Sequence, residues 1–372
     1  MLASQLGIRL ILLTGKTVPV PASGNVMNAL SQVEVTNDSE TGDGFKITLT
    51  VGKDKAADYG LLKSGAFDPF NRVVIGVARG AIPEVLIDGI VAHHRITPGN
   101  EPGTSTLTVM GRDLRQVLDV EEKNEEYKNQ ADFVIFGRIV AGYGQYGLVP
   151  QATPTTDVPI ELQRIPRQHE TDLKFIERLA KRNGFVFYIE PVTFGVNRAY
   201  FGPEIRAGIP QPALSVGMGF FTNVTRLNFS QDALAPENPK GSITEPITKM
   251  SLPIPTLPSL KLPPLSASPA PARRTTLLRG TANQNPIRAA VTALATAANS
   301  PDAVKGEGEL DAVQYGSVLR ARRLVGVRGV GASYGGIYYV RSVRHQIARD
   351  SYTQQFTISR EGTGALLPVV RP

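Results

Sequence analysis

The sequence predicts a β-rich α+β protein, and three observations carry this prediction. Alternating apolar and polar residues recur through residues 1–120 and again through 308–362, which is typical of half-buried strands. A helix, a glycine turn and a strand follow one another within residues 167–190. Residues 236–272 are so dense in proline that they cannot supply regular ladder hydrogen bonds. We therefore predict two antiparallel β-barrel domains, an α/β insertion domain and a proline-rich extended segment.

Length, composition and charge exclude several classes of protein. The 372 residues suffice for two to three domains with their own cores, and the absence of cysteine excludes disulfides and thiolate chemistry. Ile8 to Leu13 is too short for the apolar part of a signal peptide, and no run approaches the roughly 20 apolar residues of a membrane span. We expect a soluble protein made in the cytoplasm. A net charge of +7 is compatible with binding to nucleic acid or to an anionic surface. Such a charge more often reflects an acidic protein partner or has no specific function.

Five segments of the first 120 residues have strand character. Turn-forming residues from Asn37 to Gly44 separate the first two segments. The short spacing between segments favours antiparallel hairpins that close into a small barrel. The segments are Gln32–Thr36, Phe45–Val51, Val73–Val77, Glu84–His93 and Ser105–Met110.

The middle of the chain begins with a charged run. Five acids and one lysine lie within Asp119 to Glu126, which predicts a solvated helix face or a linker. Gln130 to Tyr143 places Phe133, Phe136, Ile139 and Val140 on one side of a predicted helix. Pro150 to Pro159 predicts a loop.

The next helix has the clearest boundaries in the sequence. Thr171 and Asp172 can cap its start, and Leu173, Ile176, Leu179 and Ala180 follow at helical spacing. Asn183-Gly184 predicts its end, because both residues tolerate the left-handed conformation. Phe185 to Ile189 then has the aromatic and β-branched composition of a strand. On physical grounds alone, this is an ordinary helix–strand unit of an α+β domain.

The proline-rich stretch predicts extended, polyproline-like chain on a surface. Its leucines are unusual for an idle linker, so we favour packing along a neighbour over a disordered loop; they are Leu252, Leu257, Leu260, Leu262 and Leu265. Ile287 to Ala298 predicts a helix that begins near Asn285-Pro286 and ends at Asn299-Ser300-Pro301.

The C-terminal stretch predicts four strands with hairpin turns between residues 308 and 362. Eight arginines between Arg320 and Arg360 stand against one acid, Asp350, which predicts a basic face on the second barrel. The arginines are Arg320, Arg322, Arg323, Arg328, Arg341, Arg344, Arg349 and Arg360.

No residue pattern predicts catalysis, a cofactor or a metal. Gly329-Val330-Gly331 lacks the third glycine and the helix of a dinucleotide loop, so a β-turn is favoured. Ser215 only weakly resembles an esterase nucleophile. The four histidines, including His169 and His345, have no metal-ligand spacing. Catalytic, cofactor-binding and metal sites are all predicted to be absent.

Three stretches resemble one protein family. HETDLKFIERLAKRNGFVFYIE (169–190) is similar to the densest signature of phage tail hub proteins of the late control D family, relatives of the N-terminal part of VgrG proteins of type VI secretion. NRVVIGVARG and VLIDGIVAHHRITPGNEPGTSTLTVMGRDL, within 71–114, follow the family's strand pattern. Residues 308–362 are similar to the family's C-terminal sequence pattern, from Y-G-x-V-L to Y-x-Q-x-F-x-I-x-R.

The resemblance implies a structural baseplate hub of a contractile phage tail or injection system. It implies two tail-tube-like barrels, at 1–125 and at 206–235 with 306–372, an α/β insertion at 126–205 and a proline-rich insertion with an alanine-rich helix at 236–305. Three copies would form a pseudo-sixfold ring between the hexameric tail tube and a trimeric spike. Partners would be a second and third copy, the tube protein, other baseplate proteins and cargo (DNA or an effector) in the lumen.

The residues that carry the resemblance are expected to be architectural. They are Asp172, Leu173, Phe175, Leu179, Gly184 and Tyr188 in the insertion, with Gly336, Tyr338, Val340, His345 and Phe356 in the second barrel. VgrG's spike part has no counterpart before Pro372, so we expect a separate spike and no cell-wall hydrolysis. The protein would be assembled in the bacterial cytoplasm and act in a virion or injection particle. A basic nucleic-acid-binding module and a hub-associated hydrolase remain the alternatives.

Overall fold

Thirteen strands pair in one large sheet, and an α/β layer packs beside it. This architecture is seen in a computed structural model, which describes residues 7–53, 58–80, 82–101, 103–162, 164–244, 251–253, 261–278 and 293–366. The β-rich α+β fold class is therefore confirmed.

The N-terminal part contains seven strands and two short helices. The strands are β1 (Ile8–Gly15), β2 (Val20–Pro21), β3 (Leu30–Asp38), β4 (Gly44–Val51), β5 (Arg72–Arg79), β6 (Ile82–Thr97) and β7 (Ser105–Asp113); the helices are α1 (Gly24–Ala29) and α2 (Gly60–Lys63). All five strand segments predicted here are confirmed. Val33 pairs with Ile47, which pairs in turn with Val109, so apolar side chains align across three strands and form the core.

The middle part is the α/β layer. Its elements are β8 (Glu122–Glu126), α3 (Asp132–Ala141), β9 (Leu148–Ala152), β10 (Arg167–Thr171), α4 (Asp172–Asn183), β11 (Val186–Thr193) and β12 (Val196–Gly202). Helices α3 and α4 were predicted and are confirmed. Their apolar faces share one core with β11 and β12, in which Phe136 stacks on Phe201 with ring centroids 4.9 Å apart.

Two predictions for the middle part were wrong. The acidic run is neither a helix face nor a linker, because Glu122–Glu126 pairs antiparallel with Arg167–Thr171. The predicted loop at Pro150 to Pro159 begins as a strand, because Pro150 to Ala152 pair parallel with β12. In both cases the partner strand lies far along the chain, where local sequence cannot indicate it.

The C-terminal part holds the remaining elements. They are β13 (Gln211–Ser215), β14 (Arg226–Gln231), β15 (Glu237–Lys240), β16 (Ser242–Thr244), β17 (Ser251–Pro253), β18 (Ser266–Pro269), β19 (Arg274–Leu277), β20 (Val304–Asp311), α5 (Ala312–Tyr315), β21 (Leu324–Arg328), α6 (Gly331–Tyr334), β22 (Gly336–Ile347), β23 (Tyr352–Arg360) and β24 (Gly362–Ala365). Four strands, β20 to β23, are found where four were predicted; β21 to β23 are joined as hairpins, whereas α5 lies between β20 and β21. One helical turn, α6, begins at Gly331 of the Gly329-Val330-Gly331 run, where a β-turn and no helix was predicted.

The two β-rich parts are not separate sheets. Strand β22 pairs with β23 on one side and with β3 on the other, where Val343 lies opposite Asn37. The order along the sheet is β14-β20-β23-β22-β3-β4-β7-β6-β5-β1-β2, with β21 and β13 attached beside β22. Every neighbouring pair on this path is antiparallel. The two halves of the molecule thus share one hydrogen-bonded ladder.

The proline-rich stretch forms more ladder bonds than predicted. Strand β18 pairs antiparallel with β24, and β15 pairs parallel with β19. Leu265 is buried beside Leu324 and Tyr339, whereas Leu262 is exposed. Leu257, Leu260 and the side chain of Leu252 lie outside the described residues. Residues 293–298 are helical, and the predicted start of that helix also lies outside them.

Candidate assembly surfaces

The sheet ends in two edges that have no neighbouring strand among the described residues. At one end β14 pairs with β20 alone. At the other, β2 covers β1 only at Leu13 and Thr14, and Ala22 donates to the carbonyl of Leu12. Within the part of the chain that the structure describes, no strand pairs with residues 8–11 of β1 on this side. An edge of this kind is a template for pairing with another chain.

An exposed aromatic loop lies beside the β14 edge. We use this name for residues 216–222, between β13 and β14. Phe220 is 98% exposed and Phe221 is 65% exposed, and their rings contact each other with centroids 6.0 Å apart. Neither side chain has a polar atom that water could solvate favourably. Exposed apolar groups clustered in this way mark interaction surfaces.

Hydrogen bonds hold the aromatic loop in place. Asn223 clamps its base, since its side chain donates to the Ala213 carbonyl at 2.9 Å and accepts from the Ser215 amide at 2.8 Å. The Met218 amide donates to the hydroxyl of Thr222 at 2.9 Å. Gly217 and Gly219 both have positive φ, at 61° and 59°, which favours glycine in this tight path. The two phenylalanines are therefore presented by a loop of fixed conformation.

The opposite edge has its own apolar corner. We call residues 15–21, which connect β1 to the end of β2, the β1–β2 corner. Val18 is 78% exposed and Val20 is 59% exposed. Pro19 and Pro21 lack an amide hydrogen, so this corner cannot extend the ladder as a regular strand. It offers apolar side chains rather than backbone donors.

A buried ion pair joins the two halves of the sheet. Arg322 donates to both carboxylate oxygens of Asp43, at 3.0 and 2.5 Å, and to the Asp38 carbonyl at 2.6 Å. Asn37 donates to the same carboxylate at 3.0 Å. Arg322 has a φ of 61°, uncommon for a residue with a side chain. The carboxylate of Asp43 raises the pKa of Arg322 despite its burial. This contact fixes the register between β3 and the loop before β21.

A second buried pair joins the sheet to the α/β layer. Arg72 donates to both oxygens of Asp88, at 2.8 and 2.6 Å, in a bidentate arrangement. Asn197 of β12 donates to Asp88 at 2.8 Å, and Arg72 also reaches the Tyr146 carbonyl at 2.9 Å. The last two bonds connect β5 and β6 to elements far along the chain.

A third network surrounds Asp302. Its carboxylate accepts from Lys261 at 2.8 Å, from Arg341 at 2.7 Å and from the Ser359 hydroxyl at 2.6 Å. Although burial raises the pKa of a carboxyl group, Lys261, Arg341 and the nearby Arg206 lower the pKa of Asp302 overall. The network ties the proline-rich stretch to β22 and β23.

Glu361 extends that network to the proline-rich stretch. One carboxylate oxygen accepts from the amides of Leu265 and Ser266 at 2.6 and 2.7 Å, and the other from Arg206 at 2.7 Å. Leu265 and Ser266 of this stretch are therefore bound to Glu361, at the end of β23.

Of the eight arginines predicted to form a basic face, six are ion-paired, hydrogen-bonded or buried, and Arg344 and Arg349 are exposed. Arg320 pairs with Glu84 at 2.9 Å, Arg323 with Glu190 at 3.2 Å, and Arg341 with Glu204 and Asp302. Arg322 is held by Asp43, and Arg360 is buried over the ring of Tyr338. Arg328 donates to the hydroxyl of Ser215 at 2.6 Å. The prediction was wrong because it counted only acids near in sequence, whereas the neutralising acids come from elsewhere in the chain.

The signature residues of the insertion build α4 and its surroundings. Thr171 accepts from the Lys174 amide, and Gly184 ends the helix with a φ of 68°. Asp172 is buried and accepts from Lys123 at 2.6 Å, Tyr143 at 2.7 Å and Gln168 at 2.8 Å. Desolvation, followed by the bond to Asp172, raises the pKa of Tyr143.

The other insertion residues have packing positions. Phe175 and Leu179 are fully buried, Leu173 packs at the edge of the same core, and Tyr188 stacks on Tyr200. A Cβ added to Gly184 would lie 2.7 Å from the Cα of Ala295, so a side chain at this glycine has no room.

The signature residues of the C-terminal part lie in and beside its core. Tyr338, Val340 and Phe356 are buried together, and the Tyr338 hydroxyl donates to the Tyr334 carbonyl at 2.7 Å. Gly336 has a φ of 117°. His345 is fully buried, and burial lowers its pKa to about 3. Its Nδ1 lies 2.8 Å from the Tyr352 hydroxyl and 3.1 Å from the Gln354 amide nitrogen, so the neutral ring accepts there.

Charged groups line two cavities among the described residues, but ion pairs hold them, as Arg115 holds Asp113 and Lys261 holds Asp302. Ser215 is fully buried, and its hydroxyl accepts a hydrogen bond from Arg328. Among the described residues, no histidine is a hydrogen-bond partner of Ser215. Within the described part of the chain, no group of three or more His, Cys, Asp or Glu side chains could hold a metal ion. No helix of the described residues is long and apolar enough to cross a membrane.

Sequence reasoning missed the aromatic loop and the three buried charge networks. The loop had one available signal, the Phe220-Phe221 pair between glycines and threonine. The networks had none, because their partners are separated by up to 284 positions.

Comparisons with solved structures place the fold among tail proteins. A tail protein from Neisseria meningitidis aligns over 95% of this chain and 97% of its own, with a TM-score of 0.64 at 13% identity. The 43 kDa tail protein of a Shewanella oneidensis prophage aligns over 95% and 98%, with a TM-score of 0.63 at 15% identity. An Escherichia coli component of the type VI secretion system aligns over 92% and 77%, with a TM-score of 0.55 at 13% identity.

Sequence comparisons, by contrast, find no relative. No family model matches the chain, and no curated protein matches it. The fold is shared at identities where sequence comparison fails, so what is shown is a phage tail and VgrG-like fold.

Proposed function

We propose that this chain is the baseplate hub of a contractile phage tail or contractile injection system. Three copies would form a pseudo-sixfold ring that joins the hexameric tail tube to a separate trimeric spike. The observation that carries this proposal is the single large sheet, in which two β-rich halves share the β3–β22 joint and each end of the antiparallel path keeps an open edge among the described residues. Two halves in each of three copies give the six units that a sixfold tube requires.

The role of each part follows from this symmetry. The two β-rich halves, at 1–125 and at 206–235 with 306–372, would act as tube-like barrels whose open edges pair between copies. The α/β insertion at 126–205 and the stretch at 236–305 are not duplicated, so they would impose the threefold arrangement. The buried pairs Arg322–Asp43 and Arg72–Asp88 support this proposal, because they hold the parts in fixed relative positions.

We infer no catalytic role. The structural neighbours are tail proteins and a component of a type VI secretion system, and the polar clusters described above are ion-paired networks. Purified protein should therefore leave peptidoglycan intact in a turbidity assay. Release of muropeptides by the pure chain would contradict this part of the proposal.

The proposal is tested by the absolute mass of the purified chain, measured by light scattering, with negative-stain images of the same peak. We expect a trimer and a six-lobed ring with a central hole. A stable monomer would remove self-assembly from the proposal, and co-purification with a separate spike would become the deciding experiment. A closed ring of any other copy number would contradict the hub assignment.

A further inference from the structure

We propose that the aromatic loop of one copy of this chain docks on the β1–β2 corner of a second copy. This inference rests on the proposed ring and names the side chains that hold neighbouring copies together. The two surfaces lie at opposite ends of the same sheet.

The aromatic loop has the properties of a binding anchor. A phenylalanine buries about 150–250 Å² when it is fully enclosed, and Phe220 is enclosed by nothing in the described part of its own chain. The hydrogen bonds of Asn223 and Thr222 already fix the loop. A preorganised loop loses little conformational entropy when it binds, so more of the burial contributes to affinity.

Closure of a ring identifies the occupant as a second copy. Identical subunits that form a closed ring by head-to-tail contacts need two different, complementary patches on each chain. This chain has one apolar patch beside each open sheet edge, Phe220 and Phe221 at β14 and Val18 and Val20 at the β1–β2 corner. One patch is aromatic and projecting, and the other is aliphatic.

Strand direction brings these two patches together. All pairs from β14 to β2 are antiparallel, and a joint of the same kind between copies would lay β14 of one against residues 8–11 of β1 in the next. In that arrangement the start of β14 points toward the end of β1, where β2 begins. Phe221 lies five residues before Arg226, and Val18 lies three residues after Gly15, so both patches fall at the same end of the joint.

The prolines of the corner explain why this contact is made by side chains. Because Pro19 and Pro21 have no amide hydrogen, the ladder between copies must stop where β2 begins. Beyond that point only apolar contact can continue the interface. The aromatic loop lies before the start of β14, where the ladder between copies would also end.

The chain contains no cysteine, so a pair of introduced cysteines reports one contact without background. We would combine Phe220→Cys with Val18→Cys and oxidise the protein. We expect disulfide-linked dimers and trimers on a non-reducing gel. The matched control combines Phe220→Cys with Leu162→Cys, which alters a side chain that is 96% exposed in the α/β layer, and should remain monomeric on the same gel.

A second measurement uses truncation. Phe220→Ala should raise the dissociation constant of the trimer at least about 10-fold, as expected for a buried aromatic anchor. Leu162→Ala removes an equally exposed apolar side chain and should leave assembly unchanged. Because Phe220 is almost fully exposed in its own chain, the variant should keep the native circular dichroism spectrum.

The outcomes separate this inference from the proposed function. A native trimer that persists in Phe220→Ala, with no disulfide between positions 220 and 18 in the double variant, overturns the docking contact and leaves the hub standing. Equal crosslinking in the Leu162→Cys control also overturns it, because the contact is then unspecific. A chain that stays monomeric in light scattering, with no crosslink, overturns the docking contact and the self-assembling ring together.

Discussion

The interiors of the two β-rich halves are built differently. In the N-terminal half the inward side chains are almost all aliphatic, from Leu10 and Ile75 to Ile47 and Val109, and its buried charges lie at the junctions with other parts. The C-terminal half buries His345, Gln354 and Arg360 within its own sheet. Both halves are built of antiparallel strands, but aliphatic packing stabilises the N-terminal half, and buried polar and charged side chains help to stabilise the C-terminal half.

Chain continuity accounts for the difference. The strands of the N-terminal half follow one another closely, so hairpins and cross-strand apolar pairs define them. The C-terminal half is assembled from β13 and β14 and from β20 to β24, with a long stretch between. Segments that arrive from far apart need oriented contacts to fix their register, and apolar burial is not directional. Gln354 illustrates this, because it bonds both the amide and the carbonyl of Leu319.

The sharpest way to break this comparison is to remove the charge at the centre of the C-terminal network. Asp302→Ala leaves Lys261, Arg206 and Arg341 buried without their shared carboxylate. We expect the free energy of unfolding to fall by about 3–5 kcal/mol, the usual cost of breaking a buried ion pair. Urea denaturation measures it, with Glu307→Ala as the control because Glu307 forms an exposed pair. A loss below about 1 kcal/mol would show that the network does not fix this half.

The N-terminal half should depend on packing instead. Ile47→Ala removes a fully buried side chain that lies between Val33 and Val109 in the sheet, and we expect a loss of about 2–5 kcal/mol. Thr50→Ala on the same strand is the matched control, since Thr50 is exposed and should change stability by less than about 0.5 kcal/mol. Similar denaturation midpoints for the two variants would contradict an apolar origin of stability here.

The buried histidine sharpens the comparison through pH. Burial lowers the pKa of His345 to about 3, below the value of about 6.5 in the unfolded chain. The unfolded state therefore binds more protons as the pH falls, so His345 destabilises the fold below about pH 6.5 by about 1.4 kcal/mol per pH unit. We expect a loss of about 2–3 kcal/mol between about pH 6.5 and about pH 4.5, measured by urea denaturation.

The free energy of unfolding of the His345→Gln variant should change less over that pH interval, because glutamine cannot take up the proton that histidine binds in the unfolded state. His169→Gln, which alters an exposed histidine, is the control substitution. An unchanged slope in His345→Gln would mean that other groups titrate there.

The smallest expected effect is on the solvent-facing side of the N-terminal sheet. Lys46 and Glu34 form a cross-strand pair at 2.9 Å between β3 and β4, and the Lys46 side chain is 44% exposed. Glu34→Ala should cost less than about 1 kcal/mol, and added salt should reduce even that difference. A larger loss in thermal or urea unfolding would mean that charges stabilise this half as well.

Local sequence determined much of this fold. The start of α4 at Thr171 and its end at Gly184 follow from one hydroxyl and one left-handed glycine, which act within a few residues. The alternation in β3, β4, β22 and β23 likewise marks which side chains face inward, because the strand period is two residues. Such features depend on neighbours in the chain, and a single sequence contains those neighbours.

Only the tertiary structure decided how the pieces meet. The acidic run became strand β8 because β10, which begins at Arg167, supplies its ladder from far along the chain. Arg322 is an ion-paired lock rather than part of a basic face because Asp43 reaches it from the other half of the sheet. The exposure of Phe220 and the β3–β22 joint are equally invisible in sequence. Hydrogen bonds and ion pairs require their partners to be close in space. Partners that are far apart in the sequence come close only in the folded chain.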